Sequence, residues 1–224
     1  MVVVRNLNPV MEKHKMNSKD LLEYTLLHAN ATLKEIEAHC KTAMDNEIYA
    51  VCIPPHYVSQ AKLLLENSKV KIVTVCDFPF GYSHTAAKVE DTKKSLSSGA
   101  DEIDFVINFA AVKSEDWKTV KNDIESIVTI CQMQDKICKA IIEISMLTQT
   151  EAKKIIALCE EAGVHYIKTG TGMLGKDVSK SDIDFIAKNT KLKIKAAGGI
   201  STQKQVQELI KAGANVIGSS KLIL

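Results

Sequence analysis

Residues 162–172 read Ala162-Gly163-Val164-His165-Tyr166-Ile167-Lys168-Thr169-Gly170-Thr171-Gly172. An amphipathic segment (Ile155-Ile156-Leu158-Cys159) stops at a glycine, which supplies the left-handed cap of a helix. A short β-rich run, Tyr166–Thr169, follows, and glycines and hydroxyls close the unit. The same order recurs where Gly99-Ala100-Asp101 precedes Glu102–Ile107, and where Ala212-Gly213-Ala214 precedes Val216–Ser219. Outward from these lie further candidate strands at Thr25–Leu27, Tyr49–Ile53, Lys71–Cys76, Lys139–Ile144 and Lys193–Ala196. Between them run amphipathic stretches such as Leu33-Ile36-Cys40 and Val120-Ile124-Ile127-Val128, with Thr32, Ser114, Thr148, Ser181 and Thr202 as candidate caps.

Strands separated by helices must run parallel, because a parallel neighbour needs a crossover. Eight such units in 224 residues favour closure into a single-domain TIM (β/α)₈ barrel of the α/β class over an open doubly wound sheet. The strands are nearly all apolar, as covered parallel strands are. Residues 17–224 are expected to form this barrel domain. Residues 1–16 are a poorly patterned N-terminal segment.

Net charge is +2, from 29 Lys+Arg against 27 Asp+Glu, which gives no general affinity for nucleic acid or an anionic membrane. No apolar stretch approaches the roughly 20 residues needed to span a bilayer. The six cysteines form no CxxC pair and sit mostly in apolar runs, which predicts reduced, buried thiols in a cytoplasmic protein. The six histidines show no metal-ligand spacing, and no metal or organic cofactor is expected.

Three charges interrupt otherwise apolar strands: Asp104, Lys168 and Lys195. A buried charge must be paired or shifted in pKa, and for one alone a structural ion pair is the commoner explanation. Two lysines against one carboxylate leave an apparent surplus of positive charge. A lysine with its ordinary pKa near 10.4 is the free amine only about one time in a thousand at neutral pH. A neighbouring cation favours the neutral amine, so Lys195 is expected to activate Lys168 as a nucleophile toward a carbonyl, with Asp104 shuttling protons.

Gly170-Thr171-Gly172, Gly198-Gly199-Ile200-Ser201 and Gly218-Ser219-Ser220 follow the last three strands. Late loops of this fold often hold phosphate on backbone N–H groups. Thr169, Thr171, Gly172, Gly198, Gly199, Gly218, Ser219 and Ser220 are therefore the candidate phosphate-binding residues.

These motifs, with Phe78-Pro79-Phe80-Gly81, Gly99-Ala100-Asp101-Glu102-Ile103-Asp104, Lys139-Ala140-Ile141-Ile142-Glu143 and Ile194-Lys195-Ala196-Ala197-Gly198-Gly199-Ile200, resemble the deoxyribose-phosphate aldolase family along nearly the whole chain. The resemblance implies a class I aldolase of deoxyribonucleotide catabolism. Lys168 would form an imine with the aldehyde carbon of 2-deoxyribose 5-phosphate, releasing glyceraldehyde 3-phosphate and then acetaldehyde. Asp104 and Lys195 would match the proton-transfer pair, with Thr25, Cys52 and Glu143 in support, and the protein would be a homodimer. Alternatives are another phosphate-binding Schiff-base aldolase and a non-catalytic sugar-phosphate-binding barrel. The chain departs from the family pattern at Glu23, at Gly170 (commonly serine), at Met173 (sometimes lysine) and at Ser201 (commonly arginine). The last two remove positive charge from the phosphate loops.

Overall fold

A computed structural model describes residues 18–221. Eight strands, β1 (Leu22–Thr25), β2 (Ala50–Ile53), β3 (Lys71–Cys76), β4 (Glu102–Val106), β5 (Ile137–Ile141), β6 (Tyr166–Lys168), β7 (Lys193–Ala197) and β8 (Val216–Ser219), pair in parallel in chain order and close β8 onto β1. The helices between them are α1 (Leu33–Asp45), α2 (Val58–Leu64), α3 (Thr85–Ser97), α4 (Phe109–Lys113), α5 (Trp117–Met133), α6 (Gln149–Ala162), α7 (Lys180–Asn189) and α8 (Gln203–Ala212). The closed barrel is the expected one, with two helices rather than one in the β4–β5 crossover. The expected 1–16 segment lies outside the described residues.

Thr32, Thr148 and Thr202 cap α1, α6 and α8, each in a reciprocal capping box with the residue three positions on. Two expected caps fall elsewhere. Ser114 ends α4 while Asp116 caps α5, and Ser179, not Ser181, caps α7.

The main core lies between strands and helices. Outward-facing Ile72, Ile103, Phe105, Ile167, Ile194 and Ile217 meet Ile36, Val120, Ile124, Ile155, Ile183 and Leu209 of the helices. Each such side chain contributes roughly 1.5–3 kcal/mol on burial. Leu33, expected on the inner stripe of α1, is instead exposed.

Alternation along the strands fixes what enters the barrel. On β1, Leu22 and Tyr24 belong to the outer core, which turns Glu23 to the other face. The interior is divided. β2 and β3 supply a small apolar cluster, Ala50, Cys52, Val73 and Val75, while β1 and β4–β7 supply Glu23, Glu102, Asp104, Lys139, Lys168 and Lys195, all buried.

Strand β1 begins three residues before its expected start because Glu23 and its neighbours are strand, not leader; Leu26 N still donates to Cys52 O at 2.9 Å. Strand β5 ends at Ile141, short of the expected Ile144, and Glu143 turns left-handed at φ 42°. All six cysteines are buried and free. Among the described residues no helix is long and apolar enough to cross a membrane.

Candidate active site

Strand register brings the charges together. Lys168 on β6 lies opposite Lys195 on β7, and Asp104 on β4 lies opposite Lys139 on β5. Asp104 is the hub. Its Oδ2 accepts from Lys168 Nζ at 2.9 Å and from Lys195 Nζ at 2.6 Å, and its Oδ1 accepts from Lys139 Nζ at 2.9 Å. Lys195 also donates to Glu23 Oε2. Lys139 is 3.1 Å from Glu23 Oε1 and 2.5 Å from Glu102 Oε2.

The apparent surplus of cations is therefore corrected. Three carboxylates (Glu23, Glu102, Asp104) face three ammonium groups (Lys139, Lys168, Lys195). Sequence reading missed Lys139 and Glu102 because each sits at or near a strand start, where a charge usually means a solvated end. The available signal was the two-residue period, which puts Glu102 on the same strand face as Asp104.

Burial alone would raise the Asp104 carboxyl, but Lys139, Lys168 and Lys195 outweigh it and hold it well below the usual carboxylate range. Burial likewise opposes the Lys195 ammonium, yet Asp104 and Glu23 together raise it above an ordinary lysine. Lys195 is thus a fixed cation. Lys168 differs: Asp104 is its only ion-pair partner among the described residues, and its ammonium lies 5.7 Å from the Phe78 ring centre.

Lys168 and Lys195 reach the floor of a cavity of about 670 Å³. Of the expected phosphate residues, Thr171, Gly172, Gly198, Gly199, Gly218, Ser219 and Ser220 line it. Thr169 does not. Its hydroxyl donates to Ala197 O at 2.8 Å and accepts from Ala197 N at 2.9 Å, clasping β6 to β7. Thr171 uses its hydroxyl on Glu143 Oε2 at 2.7 Å, and Ser219 donates to Ile200 O at 2.7 Å. The loops therefore offer mainly backbone groups. Thr25 lines the cavity with its hydroxyl donating to Glu23 O. Met173, Ser201 and Lys221 stand at the rim.

Two of the supporting residues lie outside the cavity lining. Cys52 is fully buried behind the lysines and outside the cavity lining, and burial pushes its thiol up. Glu143 pairs with no lysine among the described residues; it accepts from the Thr171 backbone N–H at 2.8 Å and hydroxyl, and so shapes the loop after β6. A Cβ at Gly170 would come within 2.6 Å of Glu143 Oε1, so glycine is what lets this carboxylate lie against the loop.

Glu23, Cys52 and Asp104 bring one potential metal-ligand atom each within 4.8 Å of one another. Both carboxylates already hold lysine ammonium groups, so the positive charge a cation would bring is present as side chains.

His39 stacks on Tyr24 with centroids 3.8 Å apart and donates from Nε2 to Tyr24 O at 3.0 Å. Burial lowers its pKa to about 4. A depressed value means stability is fully present above the unfolded pKa of about 6.5 and is lost as pH falls toward 4, by up to about 3 kcal/mol. His39→Gln, which keeps a donor for Tyr24 O, is expected to flatten this acid limb. Melting temperatures of both proteins between pH 7 and 4 check it, and parallel curves contradict it.

Known proteins resemble this chain along most of its length. The family described as DeoC/LacD family aldolase matches residues 11–220. A protein of Mycoplasmoides pirum named deoxyribose-phosphate aldolase is 42% identical over 213 residues, covering 93% of this chain and 96% of that protein. One of the same name from Thermococcus kodakarensis is 39% identical, covering 92% and 95%. The solved structure of QR15, an aldolase, superposes with a TM-score of 0.87 at 32% identity, covering 92% of each chain. A buried lysine at a barrel mouth, a fixed cation beside it and these matches lead to one conclusion: the chain belongs to the DeoC/LacD family of aldolases.

Proposed function

We propose that this protein cleaves 2-deoxyribose 5-phosphate reversibly to acetaldehyde and glyceraldehyde 3-phosphate, through an imine on Lys168. The observation that carries the reading is one carboxylate oxygen, Asp104 Oδ2, shared by the Nζ of Lys168 and Lys195 at the floor of the cavity. Of the two amines, Lys195 is tied to Glu23 as well and keeps its proton. Lys168 has Asp104 alone as an ion-pair partner among the described residues and lines the cavity.

The steps follow from that asymmetry. Lys168 Nζ attacks the aldehyde carbon C1, and the carbinolamine loses water to give the imine. Breaking C2–C3 sends its electron pair into the imine as an enamine, while the C3 hydroxyl loses its proton and C3 becomes the aldehyde of glyceraldehyde 3-phosphate. The enamine is then protonated at C2, and water releases acetaldehyde from Lys168. Asp104 and Lys195 serve as the proton relay through a water, since the carboxylate accepts and the ammonium donates. The glycine loops after β6, β7 and β8 are proposed to hold the phosphate end through backbone N–H groups. The protein is proposed to act in the cytoplasm as a homodimer, in the breakdown of deoxyribonucleotide sugars.

The test is direct. The purified protein is incubated with 2-deoxyribose 5-phosphate, and both products are measured. Release of acetaldehyde and glyceraldehyde 3-phosphate in equal amounts is expected. Cleavage of ketone-derived aldols with none of this sugar phosphate would contradict the substrate.

A further inference from the structure

One carboxylate enters the cavity where an anion would be held. Asp177 is the only acidic side chain lining the cavity among the described residues. It belongs to the segment between β6 and α7, which passes over the loop after β7; Val178 N donates to Gly198 O at 3.1 Å and fixes that crossing. The carboxylate then lies directly against Gly199. A Cβ there would fall 2.0 Å from Asp177 Cγ, 2.2 Å from Oδ1 and 2.4 Å from Oδ2. Glycine at 199, with φ 70°, is what admits it. No hydrogen bond or ion pair to this carboxylate occurs among the described residues. Lys221, at the rim, is the one lysine lining the cavity that no carboxylate among the described residues holds, and it makes no ion pair with Asp177. Lys168 and Lys195 are committed to Asp104, His39 is held neutral, and Ser201 brings no charge.

We propose that Asp177 is a specificity-determining residue that weakens the hold of the β7 glycine loop on a phosphate dianion and so narrows the preference for the phosphorylated sugar over substrates whose far end is a neutral hydroxyl. The inference rests on the aldolase reading of the same site. A carboxylate a few Å from a dianion repels it, whereas a terminal hydroxyl can donate to the same oxygens. Unphosphorylated 2-deoxyribose and short hydroxyaldehydes are thereby accepted beside the phosphorylated sugar. The simpler role for Asp177 is to place negative charge just ahead of the N-terminus of α7. That role moves stability alone and does not distinguish one substrate from another.

The experiment compares the unmodified protein with Asp177→Asn and Asp177→Ala. Rates are measured on 2-deoxyribose 5-phosphate and on 2-deoxyribose, and inorganic phosphate binding is titrated by calorimetry. Asp177→Asn keeps the shape and removes the charge. It is expected to raise the ratio of kcat/KM for phosphorylated over unphosphorylated sugar about tenfold, through KM for the phosphorylated sugar, and to tighten phosphate binding by a similar factor. A ratio and a phosphate affinity both within twofold of the unmodified protein would overturn the proposal. So would a shift seen with alanine and not with asparagine, which would make the contact steric. If the unmodified protein cleaves neither sugar, the aldolase reading fails by itself, and the phosphate titration still decides the role of Asp177.

Discussion

Lys168→Met is expected to reduce turnover by a factor on the order of 10⁴ or more while the barrel remains folded. Methionine keeps the length and apolar stem of the side chain and removes the only atom able to form the imine. The fold should survive for an electrostatic reason. With Lys168 gone, Asp104 still holds Lys139 at 2.9 Å and Lys195 at 2.6 Å, so no buried charge is stranded. Removing one cation from three leaves one net negative charge in the cluster, and the stability cost should stay within about 1–2 kcal/mol. Turnover and a thermal melt on one preparation check both halves. Residual activity near that of the unmodified protein would move the nucleophile to another residue.

The largest stability effect is expected from Asp104→Leu. This change leaves three buried ammonium groups to share Glu23 and Glu102, and Lys168 with no ion-pair partner. Breaking a buried pair in this way typically costs about 3–5 kcal/mol. Lys168→Met in the same protein removes the ammonium left without an ion-pair partner and restores charge balance, so the double variant should recover at least about 1 kcal/mol of that loss. Its pH dependence has a definite sign. Asp104 is held below its unfolded value, so its contribution is present above pH about 4 and disappears as pH falls through the depressed folded value. The unmodified protein should therefore lose stability at the acid end more steeply than Asp104→Leu. Chemical denaturation of the single and double variants measures this, and simple additivity would contradict the shared-hub geometry.

Much of this architecture is legible in the chain because helix and strand periods alternate with glycine stops, as at Gly99, Gly163 and Gly213. Closure and the pairing of Lys168 with Lys195 follow from strand order alone. What pattern reading misses is polar burial. It places the first strand at Thr25–Leu27 because a buried Glu23 contradicts the apolar expectation, whereas Glu23 is paid for by two lysines from β5 and β7. Side-chain direction is equally hidden. Thr169 sits inside a glycine and hydroxyl motif, yet its hydroxyl turns to Ala197 rather than to the cavity. Asp177 belongs to none of the sequence motifs, and only the crossing of the β6 and β7 loops sets it on Gly199.

The nucleophilic identity of Lys168 is tested most directly by reductive trapping. The protein is mixed with acetaldehyde and borohydride, digested, and its peptides are sequenced by mass. An ethyl group on Lys168 Nζ is expected, with loss of activity in step with labelling and neither effect when acetaldehyde is omitted. Labelling of Lys195 or Lys139 in place of Lys168, or full activity after exhaustive reduction, would contradict it.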